Sequence, residues 1–295
     1  MEEIEAKTIL TTVKNGQFWF GNDYNMNLYR GCPHGCIYCD SRSSCYHVDD
    51  FDRVRVKKNA LALLEKQLRS KRKKGVVGIG AMSDTYNPFE KNYEITRGAL
   101  KLLDQYHFGV SLETKSDLIV RDLDLFLKIN QHSDVILKMT ITCYQDELSK
   151  IIEPHVCVSS QRFQAIRQLS EAGLFCGVLM TPLLPFINDT EENIKEIVKM
   201  SYEAGAKFVY TYFGVTLREN QRDYYYDQLD QYFPEIKEKY IKRYGLKYQC
   251  QSKNIKHLRY VFIKECEKYG LLYKMDDIIN AYKKSNTKIE QLSLF

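Results

Sequence analysis

The chain has 295 residues, 44% of them hydrophobic and 27% charged, with a net charge of +5; these values exclude disorder, collagen and coiled coil and leave a globular protein of one large or two ordinary domains. Its longest apolar stretches, such as Gly177 to Leu184, fall well short of a bilayer span, and the acidic start MEEIEAK is no signal peptide, so a cytoplasmic protein without membrane contact is expected. The nine cysteines, three of them within eight residues, suit a reducing compartment and metal ligation better than a disulfide framework.

From residue 24 onward, short β-rich runs alternate with helical patterns. Tyr24 to Arg30 reads as the first strand. A helix over Ala60 to Arg69, with Leu61, Leu64 and Leu68 on one face, precedes a strand at Val76 to Met82. The next pair is a helix at Ile95 to Leu103 and a strand at Gly109 to Glu113. Asp122 is placed to cap a helix over Leu123 to Ile129, which leads to the strand Val135 to Thr142. Helix Arg162 to Ala172 then leads through Gly173 into strand Phe175 to Thr181, and helix Glu191 to Ala204 through Gly205 into strand Lys207 to Phe213. Six right-handed βα units predict an α/β fold, a partial (β/α)6 TIM-type barrel over residues 1–215, with chemistry at the C-terminal ends of its strands. An open sheet with helices on both faces is the competing architecture. Residues 216–282 read as a small helical C-terminal region, and residues 283–295 as a polar, flexible tail.

Immediately after the first strand comes Gly31-Cys32-Pro33-His34-Gly35-Cys36-Ile37-Tyr38-Cys39. Such a loop can bring three thiolates around one metal centre, and its glycines permit the turns. Zinc would need a fourth ligand, for which His34 or Cys45 is available. A cubane 4Fe-4S cluster needs only three and leaves one iron open, which suits a loop placed where a barrel carries its active site.

The Cys-x3-Cys-x-aromatic-Cys loop after the first strand resembles that of the radical S-adenosylmethionine (SAM) enzymes. Within them the chain is similar to the spore photoproduct lyase-like group through SDTYNPFE at Ser83, ETKSDLIVRDLDL at Glu113, IEP at Ile152 and TPLLPFIND at Thr181. The resemblance implies a 4Fe-4S cluster on Cys32, Cys36 and Cys39, SAM on the open iron, and reductive cleavage to a 5′-deoxyadenosyl radical. It also implies a low-potential electron donor such as flavodoxin or ferredoxin. Tyr38 falls at the aromatic position near the adenine, Ser83 and Lys115 at positions that contact SAM, and Thr140 and Thr142, alternating on the fourth strand, are further candidates for holding its carboxylate. Two positions depart from the lyase. Ala81 stands where the lyase carries the cysteine that returns hydrogen to product, and Asp40 where it carries a relay tyrosine, so the strict photoproduct reversal is not implied. Cys143, at the end of the fourth strand, is the candidate substitute donor.

The charge excess is C-terminal: residues 216–295 hold 16 Lys and Arg against 11 Asp and Glu, and residues 236–275 hold 11 against three. Among these cations lie Tyr240, Tyr244, Tyr248, Tyr260, Phe262, Tyr269 and Tyr273, the mixture a DNA-binding surface needs, although a basic helical subdomain with half-buried rings has the same composition. The final Gln291-Leu292-Ser293-Leu294-Phe295 resembles the bacterial sliding-clamp-binding pentapeptide, with Gln291 orienting and Leu292, Leu294 and Phe295 filling an apolar cleft. A radical SAM enzyme acting on DNA, in repair or base modification, is the reading these features join. A radical SAM enzyme on a small molecule or peptide, and a clamp-associated iron–sulfur protein without SAM cleavage, are the alternatives.

Overall fold

The computed structural model describes residues 2–13 and 19–283. Six parallel strands form the centre: β1 (Tyr24–Met26), β2 (Val76–Ile79), β3 (Gly109–Thr114), β4 (Val135–Thr140), β5 (Cys176–Met180) and β6 (Phe208–Thr211). They lie side by side in chain order, and strand Leu10–Thr12 pairs antiparallel on the free side of β1. Strands β2, β4 and β5 are buried at every residue, as expected of parallel strands covered on both faces. The outer layer is built from helices α1 (Ala60–Ser70), α2 (Ile95–Gln105), α3 (Leu123–His132), α4 (Ser159–Glu171) and α5 (Glu191–Glu203). Each presents one apolar stripe inward; on α1 it is Ala60, Leu64 and Leu68, all fully buried, and each such leucine contributes about 1.5–3 kcal/mol. This is the expected α/β partial barrel.

The first predicted strand is in fact two. Tyr24–Met26 belongs to the barrel, whereas Tyr29–Arg30 turns away to pair antiparallel with Arg55–Lys57, which also carries Glu2–Ile4. Leu28 and Tyr29 are both buried, so the strict alternation of a one-sided strand is lost where the chain changes sheets. Asp122 occupies the expected N-cap position of α3 but does not cap it through its side chain. Its carboxylate accepts from Arg97 Nη1 (2.7 Å), Arg121 Nε (2.9 Å) and Tyr86 Oη (3.0 Å) instead. Two buried-side guanidiniums outcompete the helix terminus for it.

The C-terminal region comprises α6 (Gln221–Tyr232), α7 (Ile236–Tyr244), α8 (Ile255–Tyr269) and α9 (Met275–Tyr282). Helix α8 packs against α5, and Leu272, three residues beyond it, bridges to the edge strand β6: Val209 N donates to Leu272 O (2.9 Å) and Leu272 N to Lys207 O (3.1 Å). Helix α9 brings Ile278 and Tyr282 onto Phe20, Val76, Ile136 and Phe208. Strand Gly214–Thr216 pairs antiparallel with Gln249–Gln251. No helix among the described residues is long and apolar enough to cross a membrane.

Candidate active site

The cysteine loop leaves the barrel beyond β1, and its shape is fixed by backbone. Cys32 N donates to Phe51 O (2.8 Å), Ile37 N to Ile152 O (3.0 Å), and His155 N to His34 O (3.1 Å). Two glycines permit this path. Gly31 has φ +81°, and a Cβ there would lie 2.7 Å from the carbonyl oxygens of both Phe51 and Arg53; Gly35 has φ +68°, with His155 Cδ2 2.9 Å from its would-be Cβ. The segment that carries IEP is therefore the clamp over the loop.

Cys32, Cys36 and Cys39 open onto a cavity of about 310 Å³ at the C-terminal ends of the strands. Tyr38, Ser83, Lys115 and Thr140 line the same cavity, with Ala81, Asp40, Glu113 and Trp19. All three cysteines are free thiols. Burial pushes Cys32 up to about 12, with Asp84 and Cys39 adding to it, and burial raises Cys36 and Cys39 as well. Sulfurs in that state become good ligands only when a metal cation takes the place of the proton, so the donor set fits a thiolate-bound metal cluster. Of the two candidate fourth zinc ligands, Cys45 does not line the cavity and accepts from Ser43 Oγ (3.3 Å) instead, whereas His34 does line it, with its Nδ1 3.5 Å from Asp84 Oδ2. Among the described residues, no group of three or more His, Cys, Asp and Glu forms a site for a single metal ion.

Asp84 ties the loops after β2 and β3 together. It accepts from Thr114 Oγ1 (2.6 Å), Lys115 N (2.8 Å) and Tyr86 N (2.9 Å), while Ser83 Oγ donates to Gly31 O. Lys115 Nζ stands 5.7 Å over the Tyr38 ring. Burial alone would push that ammonium down, but Cys36, Glu153, Asp84 and Cys39 outweigh it and hold the group above its usual range. It stays a cation facing the cavity.

Behind the loop lies a charge chain that sequence reasoning missed. Tyr38 Oη donates to Glu153, and Glu153 pairs with Arg162, both members essentially without exposure. Arg162 also donates to Thr140 O (2.9 Å) and Cys157 O (2.8 Å). Gln221 of α6 donates to Tyr38 O (3.0 Å), so the C-terminal region also bears on the loop. Glu153 belongs to the IEP segment, but only Arg162, nine residues on, marks it as an ion-pair member.

Two candidates are not brought to the cavity. Thr142 is fully buried with its hydroxyl unpartnered, and Cys143, 1% exposed, packs with Ile37, Ile152 and Leu184. The strand ends at Thr140, and Asn188 Nδ2 (2.7 Å) and Asn193 Nδ2 (2.9 Å) hold the Thr142 carbonyl, which turns both side chains into packing. Gln291, Leu292, Leu294 and Phe295 lie outside the described residues. Of the C-terminal rings, Tyr240, Tyr244 and Phe262 are core, whereas Tyr248 and Tyr260 are exposed.

The model of the radical SAM superfamily matches residues 26–201. An uncharacterized protein of Methanocaldococcus jannaschii is 30% identical over 92% of this chain and 90% of its own length. One from Mycobacterium tuberculosis is 31% identical over 82% of this chain and 73% of its own. Among solved structures, spore photoproduct lyase complexed with dinucleoside spore photoproduct has a TM-score of 0.69 at 15% identity, covering 92% of this chain and 81% of that one. A variant of that lyase with bound AdoMet and the same dinucleoside has a TM-score of 0.68 at 15% identity, covering 92% and 80%.

Proposed function

Because the chain belongs to the radical SAM superfamily, which implies an iron–sulfur cluster and SAM, we propose that Cys32, Cys36 and Cys39 hold a 4Fe-4S cluster with one iron left for SAM, and that the protein acts on DNA. A cluster held on these sulfurs with SAM bound would, given one electron, supply reductive cleavage of the sulfonium carbon–sulfur bond, releasing methionine and leaving a 5′-deoxyadenosyl radical able to take hydrogen from a substrate. The chain's own residues bind and orient. The observation that carries this reading is that the three sulfurs share one cavity with Ser83, Lys115 and Thr140. Lys115 offers a fixed cation for the SAM carboxylate, Tyr38 a ring wall held by Glu153, and Asp84 the tie that keeps Lys115 on the cavity. Anaerobic reconstitution with dithionite and SAM should yield 5′-deoxyadenosine; none formed would overturn the enzymatic reading. A low-potential donor such as flavodoxin or ferredoxin would supply the electron in the cell.

Lys115→Met keeps the stem and removes the charge. A charge-assisted bond contributes about 1.5–3 kcal/mol, so SAM affinity of the reconstituted protein should fall about 10- to 150-fold in equilibrium binding. An unchanged affinity would place the carboxylate elsewhere.

DNA is favoured by what surrounds the cavity. Tyr212 is shared with a neighbouring groove lined by Tyr210, Arg259 and Lys274, and Gln251 and Ile255 link that groove to a third lined by Arg243, Lys247, Tyr248 and Lys253. Five cations thus border one continuous path. If each meets a phosphate of a single strand, log K should fall with log salt at a slope of about −3.5. Fluorescence anisotropy of a labelled oligonucleotide measures this, and a flat response would remove the phosphate contacts. Among the described residues the cavity holds no cysteine besides the three of the loop, and Ala81 lines it, so on this reading no thiol at that position would return hydrogen to product. The tail would dock the protein on a sliding clamp; removal of residues 291–295 should abolish clamp pull-down, and undiminished pull-down would end that proposal.

A further inference from the structure

One wall of the cavity is not used by the roles above. Trp19, the only tryptophan of the chain, lines the cavity and is 40% exposed. Its Nε1 donates to Glu113 Oε2 (3.2 Å). Phe20 and Tyr210 meet the indole at 86° and 89°, with centroids 5.1 and 5.7 Å away, so among the described residues no ring stacks on it. Below Glu113 lies Lys138, 1% exposed in the middle of β4. Its Nζ is 3.5 Å from Glu113 Oε2, donates to Ser111 Oγ (2.8 Å) and sits 4.6 Å over the Phe20 ring. Both contacts to the Glu113 carboxylate fall on Oε2, and Oε1 takes part in neither.

A large, flat, half-exposed ring inside a cavity offers a stacking face, and a base laid on such a face contributes about 1–3 kcal/mol. A carboxylate held by a buried ammonium is an acceptor only. With Oε2 engaged, Glu113 presents a single acceptor beside the indole, which matches one ring N–H. We propose that Trp19 and Glu113 form a nucleobase subsite: an unstacked base lies on the indole, and Glu113 Oε1 accepts its ring N–H, as offered by thymine N3 or guanine N1. Adenine and cytosine lack a neutral ring N–H at that edge. The subsite rests on the DNA reading and specifies how that substrate would enter: as a single-stranded or extruded nucleotide facing the cysteine loop, because a duplex shields both the face and the Watson–Crick edge.

The test uses the reconstituted protein with SAM bound, reading two signals at once: anisotropy of a labelled strand for binding, and tryptophan emission, which comes from Trp19 alone. A single-stranded thymine oligonucleotide should bind and quench the emission. An equally charged abasic oligonucleotide should bind more weakly, by about 5- to 150-fold, and leave the emission unchanged, and one of N3-methylthymine, which keeps the stacking face but lacks the ring N–H, should also bind more weakly than thymine. Trp19→Ala should bring the thymine strand down to the abasic affinity, and Trp19→Phe should restore part of the difference. Glu113→Gln, which keeps the shape above Lys138, should erase the discrimination against N3-methylthymine. Binding that leaves the Trp19 emission unmoved would overturn the subsite while the DNA reading stands. Quenching by SAM alone, with no further change on adding DNA, would assign the indole to SAM and also overturn it. No binding of any strand would remove the DNA reading itself, and the subsite with it.

Discussion

Cys36→Ala should lose the brown iron–sulfur absorbance on reconstitution and bring 5′-deoxyadenosine formation down to background, while the chain still folds. Cys36 is buried in a small apolar cluster with Ile37, Tyr38, Cys143, Ile152 and Leu184, and trading one sulfur for hydrogen there costs on the order of 1 kcal/mol. The loop it sits on is held by backbone bonds to Phe51, Ile152 and His155 that do not involve the thiol. With three ligands as the minimum for a cubane, two cannot hold one in place of solvent. Circular dichroism would report the intact fold and absorbance the missing cluster. Full iron content together with undiminished SAM cleavage would show that Cys36 is not a ligand.

Glu153→Ala is expected to be the most destabilising single change near the site. Arg162 has no exposure, and its Nη2 already lacks a partner. Removing Glu153 would leave a buried guanidinium without its counter-charge, which typically costs about 3–5 kcal/mol. Glu153→Gln keeps hydrogen-bond capacity and should fall between alanine and wild type. The denaturant midpoint at constant slope measures the loss, and a change below about 0.5 kcal/mol would mean that the pair is not the anchor inferred from its burial. Because Tyr38 hangs from the same carboxylate and Ile152 holds the backbone of Ile37, the alanine variant should also take up iron less completely than wild type.

The barrel was legible because parallel strands buried on both faces are continuous apolar runs, and each is followed by a helix whose stripe has the right period. Leu137, Leu179 and Val209 announce their strands in this way. The break after Met26 was not legible, since Leu28 and Tyr29 prolong the apolar run into a second sheet. Asp122 looked like a cap because an acid before a helix usually is one; the partners that claim it, Arg97 and Arg121, come from tertiary packing. The tyrosine-rich segment had the right composition for stacking on bases, but composition carries no facing. Tyr240 hydrogen-bonds Tyr225 (2.9 Å) inside the α6–α7 pair, and that leaves the cations and Tyr248 at the surface. The three cysteines were found by spacing alone. Arg162 and Trp19 have no periodic or motif signature of their own, and the IEP segment that holds Glu153 does not show its ion pair, because what makes each of them matter is a contact that only the fold brings about.

Every role proposed above depends on an iron left open by three protein sulfurs. Iron and sulfide analysis of the reconstituted holoprotein, combined with electron paramagnetic resonance of the reduced state before and after adding SAM, tests it directly. About four irons and four sulfides per chain are expected, with a spectrum that shifts on adding SAM, as an iron gaining a new ligand must. One metal ion per chain with four protein ligands, or a cluster spectrum that SAM leaves untouched, would contradict it.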